Sequence, residues 1–159
     1  MTEVKIKSKK GFTLVEMLCA VIVLLLITSL MAVGVQLAVR SLRTLVMDSE
    51  SQVLCSTIRA SVSDELRYSG TTTVNGGNIS FFSQNYGEGV EYSTNEDGQI
   101  LLGGNKILSS KSYTYDMRAS VTLKSYDSTS KIFSVSVKVT DSDGNLLASS
   151  DFQVQRLNS

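Results

Sequence analysis

The chain has 159 residues, 15 basic and 15 acidic, which is enough for one ordinary domain and too evenly charged for a globally basic nucleic-acid binder. Histidine and proline are both absent. The first absence removes the usual general base, the commonest zinc ligand and every histidine-dependent triad; the second excludes collagen-like and proline-rich linker sequences.

Residues 1–10 hold Lys5, Lys7, Lys9 and Lys10 against a single acid, Glu3. From Phe12 to Val39 the only formal charge is Glu16, and Met17–Ile27 is wholly apolar. As a helix, 12–39 would run about 42 Å, beyond the ~30 Å hydrocarbon core of a bilayer. Thr28 and Ser29 can return their hydroxyls to the helix backbone. The stretch reads as a membrane helix. Lysines before it, and only Arg40 and Arg43 just after, give a cytoplasmic N-terminus by charge bias, with the rest of the chain outside. A cleaved secretory signal is the rival, but its apolar core should run about 7–15 residues and end in a small-x-small site. Ala32, Gly34 and Ala38 make no such pair at the boundary.

Glu16 sharpens the reading. A carboxylate near the centre of a membrane helix costs at least ~2.5–3.5 kcal/mol, so it is usually paired and functional. The plainer alternative is a solvated place among headgroups, because Lys10 is close in sequence. The run Lys9-Lys10-Gly11-Phe12-Thr13-Leu14-Val15-Glu16 before a long apolar helix closely resembles the leader of type IV pilins and pseudopilins. The resemblance covers roughly residues 8–40. It implies cleavage between Gly11 and Phe12 by a membrane prepilin peptidase, followed by N-methylation of Phe12. It further implies that Glu16, fifth residue of the mature chain, pairs with the Phe12 amine of a neighbouring subunit during assembly. The implied partners are that peptidase, other pilin subunits, an inner-membrane assembly platform and membrane lipid. Gly11 suits such a peptidase, since it presents no side chain at the scissile bond. One departure stands out: many pilins kink the helix with a proline about twenty residues in, and here that neighbourhood reads Leu30-Met31-Ala32-Val33-Gly34.

Beyond the apolar stretch, Leu42, Val46, Leu54, Ile58, Val62 and Leu66 recur at four-residue steps, interrupted by Glu50. The spacing predicts one helix from about Phe12 to Tyr68, stopping before Gly70, with its second half packed on a sheet. A coiled coil is the rival, but a spacing of four drifts from a heptad. After Gly70 the texture turns to serine, threonine, glycine and β-formers. Asn75-Gly76-Gly77-Asn78 separates 71–74 from 79–82 as a hairpin turn, and Asn95-Glu96-Asp97-Gly98 separates 90–94 from 99–102 in the same way. Ala119, Val121 and Leu123, then Phe133, Val135, Val137 and Val139, alternate with polar residues as half-buried strands. Asp141-Ser142-Asp143-Gly144-Asn145 turns into a last strand near 146–154.

The predicted fold is α+β and pilin-like, a long N-terminal helix on a C-terminal antiparallel sheet. Its expected organisation is a leader over 1–11, a membrane and assembly half over 12–39, and an extracytoplasmic part over 40–159, with helix to 68 and sheet over 70–159. Cys19 and Cys55 both fall on the helix, too far apart to bridge within one subunit. Asp141, Asp143 and Asn145 resemble a fragment of a calcium loop, but the full pattern needs more ligands, and a hairpin turn explains them with less. Asn78-Ile79-Ser80 is a glycosylation sequon lying in a turn. Gly103-Gly104-Asn105-Lys106 lacks the order of a phosphate loop. No cofactor, catalytic residue or nucleic-acid site is indicated. The expected role is that of a structural subunit, a minor pilin or pseudopilin, in a pilus or pseudopilus serving adhesion, motility, DNA uptake or secretion. The runner-up is an unprocessed, single-span membrane-anchored binding module, and a serine–lysine hydrolase stands third.

Overall fold

The computed structural model describes residues 13–157, so Gly11 and Phe12 lie outside the described residues. Among the described residues one α-helix, α1 (Leu14–Arg67), is followed by nine strands. The chain divides into two compact units between Arg43 and Thr44, so α1 contributes to both.

In the first unit the helix is apolar on every side and none of its hydrophobic window is buried. By length and composition it could cross a membrane. The two hydroxyls inside it are satisfied as expected. Thr28 Oγ1 donates to the Leu25 carbonyl at 3.0 Å and Ser29 Oγ to that of Leu26 at 2.8 Å.

The second unit holds the core. Nine strands form three antiparallel sheets in the orders β1-β2-β3, β4-β5-β6 and β7-β8-β9. They are β1 (Thr72–Asn75), β2 (Asn78–Ser83), β3 (Gly87–Val90), β4 (Tyr92–Thr94), β5 (Ile100–Leu102), β6 (Asn105–Lys106), β7 (Arg118–Asp127), β8 (Ile132–Thr140) and β9 (Leu146–Gln155). The predicted hairpin at 75–78 is present, with Asn75 opposite Asn78. The predicted strand over 90–94 is instead two. Val90 pairs with Phe81 in the first sheet and Tyr92 with Leu102 in the second, so the chain changes sheets at Glu91. Gly98 makes the next turn possible: its φ is 73°, and a Cβ there would fall 2.3 Å from Cγ of Arg118.

The third sheet carries the most regular pattern. Phe133, Val135, Val137 and Val139 of β8 are buried, with Ala119 and Val121 of β7 on one side and Val154 of β9 on the other. A bulge after Leu123 shifts the phase of β7, so Tyr126 rather than Ser125 packs against the core, its ring 4.5 Å from that of Phe133. Against these sheets α1 buries Leu54, Cys55, Ile58, Val62 and Leu66, all contiguous with Phe81, Ile100, Leu102 and Met117 in one cluster. Leu42 and Val46, predicted in the same stripe, are exposed. A step of four residues turns the helix by about 40° beyond a full circle, so three or four steps carry the stripe to the other side. Ser51 and Cys55 continue the buried face in their place.

Polar ties fix the helix within this unit. Glu50, which interrupts the stripe, accepts the Thr114 hydroxyl from the 3-10 turns at 110–116. Glu65 accepts the Ser83 hydroxyl and, at 3.1 Å, the Asn85 amide, which secures the end of β2. The nearby Tyr92 phenol is pushed far above its usual range, first by burial and then by the Glu65 charge. After β9 the Leu157 N–H donates to the Arg67 carbonyl at 2.8 Å, and the Arg156 guanidinium donates to that of Gly70. The last strand is thus bonded to the helix end without a disulfide, both cysteines being free.

Candidate functional site

The site begins where α1 begins. The first turns of a helix leave backbone N–H groups without intrahelical partners, and Thr13-Leu14-Val15-Glu16 has the S/T-x-x-E spacing that satisfies them reciprocally. Glu16 N–H donates to Thr13 Oγ1 at 3.2 Å. Glu16 Oε2 accepts from the Thr13 N–H at 3.0 Å and from the Thr13 hydroxyl at 3.1 Å. The residue singled out by its charge is therefore also the return half of a capping box. The motif spacing carried that signal, and reading Glu16 only as a charge in an apolar run overlooked it. Its carboxylate also complements the positive end of the helix dipole.

Immediately after this box the helix is a continuous apolar cylinder. Leu14, Val15, Leu18, Val21 and Ile22 are all exposed in the single chain. A surface of that kind belongs in lipid or against other apolar helices. The processing residues of the sequence reading, Gly11 and Phe12, lie just ahead, outside the described residues.

Comparison with family models places the prokaryotic N-terminal methylation motif at residues 6–32. The chain carries a type IV pilin signal. The matched residues take in Lys7, Lys9, Lys10, Gly11, Phe12, the capping box and the apolar helix as far as Ala32. The fold that follows, a long helix packed on antiparallel sheets, is pilin-like. No curated protein and no solved structure matches the chain.

The remaining sequence candidates are scattered across the second unit. Asp141 anchors the turn between β8 and β9. Its Oδ1 accepts from the N–H groups of Asp143 at 2.9 Å and Asn145 at 2.8 Å, and its Oδ2 from the Asn145 amide at 2.8 Å. These bonds make Asp141 the side-chain acceptor of the turn. Among the described residues, no group of three or more His, Cys, Asp or Glu side chains is placed to hold a metal ion. Tyr92 is packed against the core, Tyr113 accepts the Ile100 N–H at 3.1 Å, and Tyr86 and Tyr115 are exposed. Cys19 is exposed on the apolar helix and Cys55 is buried.

Three aspartates leave a pH signature. Asn145 holds the Asp141 carboxyl below the usual aspartate range, Ser130 and Thr129 do so for Asp127, and Ser136 and Lys124 for Asp151. Each group binds fewer protons folded than unfolded. Its contribution is therefore complete above the ordinary value near 3.9 and is lost as pH falls through the lower folded values. Melting temperature of the full chain in detergent should be level from pH 7 to about 5 and drop below about pH 4. An Asp127→Asn, Asp141→Asn, Asp151→Asn triple variant should show a shallower acid limb. An unchanged limb would assign the loss to other carboxylates.

Proposed function

We propose that the chain is a type IV pilin-like structural subunit, a minor pilin or pseudopilin. It is cut between Gly11 and Phe12 by a prepilin peptidase and N-methylated at Phe12. It then assembles with other pilin subunits on an inner-membrane platform into a pilus or pseudopilus. Before assembly it is held in lipid as a single span over 12–39, N-terminus in the cytoplasm and residues 40–159 outside. The observation that supports this most is the methylation motif at 6–32 running straight into an exposed apolar helix. The chain's role is structural, with no catalysis of its own. Glu16 pairs with the Phe12 amine of a neighbouring subunit, offsetting the burial of both charges, and a subunit one step out of register would leave two charges unmatched. Thr13 stays in the mature chain as its second residue, so the capping box survives cleavage and holds the carboxylate until that partner arrives.

The single-span anchored module is the second reading. It is favoured by one observation: the box satisfies Glu16 within one chain. Processing separates the two. Mass spectrometry of the native membrane form should find an N-terminus at methylated Phe12, and Gly11→Val should leave an uncut precursor, because a branched side chain blocks backbone approach at the scissile bond. An intact leader on the stable surface form would sink the pilin reading.

A further inference from the structure

The outer face of the first sheet carries an exposed aromatic ring among hydroxyl side chains. In β1–β3, Phe81 pairs with Thr72 on one side and Val90 on the other, and both apolar residues point into the core. Strand alternation then turns Thr73, Ser80 and Phe82 outward, with Thr71 just before β1 and Glu88 in β3 beside them. Phe82 sits in the middle strand and is 37 % exposed. Two grooves of about 350 and 580 Å³ share Thr71, Phe82 and Glu88 in their walls. The first adds Thr73 and Ser80; the second extends to Tyr126, Ser128 and Arg156.

A single exposed phenylalanine is ordinary on a protein surface. This one is held in place. The Gly70 N–H donates to the Phe82 carbonyl and the Phe82 N–H to that of Thr71, both at 2.8 Å. A Cβ on Gly70 would fall 2.8 Å from Cδ1 of Phe82, so the ring rests where only a glycine backbone leaves room. The result is a fixed aromatic plate bordered by hydroxyls and one carboxylate.

We propose that this face is a glycan-binding site that takes a neutral saccharide chain across Phe82. The C–H face of a sugar ring is apolar and fits an aromatic plate, while its edge presents hydroxyls that both donate and accept. Thr71, Thr73 and Ser80 offer the same two-way chemistry, and the Glu88 carboxylate accepts from sugar hydroxyls. Because the plate is preformed, little conformational freedom is lost on binding. Single-stranded nucleic acid also stacks on aromatic rings, but it requires a cationic track along its backbone. Here a carboxylate borders both grooves, and Arg156, the basic residue in the wall of the larger one, places its guanidinium on the Gly70 carbonyl. The charge favours a neutral polymer. The site is built from residues 70–156, so its test does not depend on processing or on Glu16.

The test measures binding of the full chain, in micelles of dodecylphosphocholine (a detergent without a sugar headgroup), to immobilised cellohexaose, chitohexaose and mannohexaose. A single-stranded oligodeoxynucleotide is the comparator. At least one saccharide should bind at millimolar concentration or tighter. Phe82→Ala should weaken that binding about tenfold through loss of the plate, and Phe82→Tyr should retain it. Glu88→Gln, an exposed change, should weaken binding several-fold with an unchanged melting temperature, so the proposal stays testable if Phe82→Ala misfolds. It is overturned if none of the three saccharides binds, if Glu88→Gln and Phe82→Ala both bind as the parent does, or if the oligonucleotide binds and the saccharides do not.

Discussion

A fragment of residues 69–159 should unfold or aggregate, whereas one beginning at Thr44 should be soluble, monomeric and β-rich. The shorter fragment loses Leu54, Cys55, Ile58, Val62 and Leu66, of which Ile58, Val62 and Leu66 are 0 % exposed. Burying a Leu, Ile or Val side chain is worth roughly 1.5–3 kcal/mol, so the four aliphatic residues alone match the ~5–15 kcal/mol net stability of a whole domain. Removing them also bares the inner faces of all three sheets, since Phe81, Ile100 and Val137 belong to the same cluster. The single change Ile58→Ala should cost about 2–5 kcal/mol, the transfer term plus the cavity left behind. Circular dichroism and size-exclusion chromatography of the two fragments decide the matter. A folded, monomeric 69–159 would show that the sheets do not need the helix.

The second large effect concerns Glu16, where the capping box adds a control that the charge alone does not suggest. Glu16→Ala removes the box and, in the proposed assembly, the partner of the Phe12 ammonium. The first loss is about 0.5–2 kcal/mol for a cap. The second is about 3–5 kcal/mol for a broken buried pair, and it falls only on the assembled state. Glu16→Gln separates them, because glutamine can still complete the box but carries no charge. Both variants should insert in the membrane and be cut after Gly11, and both should be depleted from sheared filaments, or fail to support assembly if the subunit is minor. Thr13→Val, which removes the cap and keeps the carboxylate, should assemble. If Glu16→Gln assembles normally and only Glu16→Ala and Thr13→Val fail, the residue acts as a helix cap and the ion-pair role is wrong.

Much of this molecule is local in origin. The basic leader, Gly11-Phe12, the charge-poor run to Val39 and the lone Glu16 are contiguous, so the pilin signal was legible without any tertiary contact. The same holds for α1, whose length follows from a run without strong breakers, and for β7, β8 and the 75–78 hairpin, where a period of two and Asn-Gly turn chemistry act over a few residues. The capping box is equally local, since Thr13-x-x-Glu16 carries it by spacing alone.

What the tertiary structure alone decided depends on which surfaces meet. Periodicity gave Leu42 and Val46 the same standing as Leu54 and Ile58; only the sheets, by covering one side of the helix, separate buried from exposed. The division of the β region into three sheets, with the break at Glu91, reflects partner choice among short strands whose local preferences are alike. The grooves beside Phe82 have the same origin, since they bring Thr71, Ser80, Phe82, Glu88 and Arg156 together. Chain neighbours set the signal and the helix, because their energies are local. The core and the outer sheet face come from contacts between residues distant in sequence, whose free energy exists only once the chain has closed on itself.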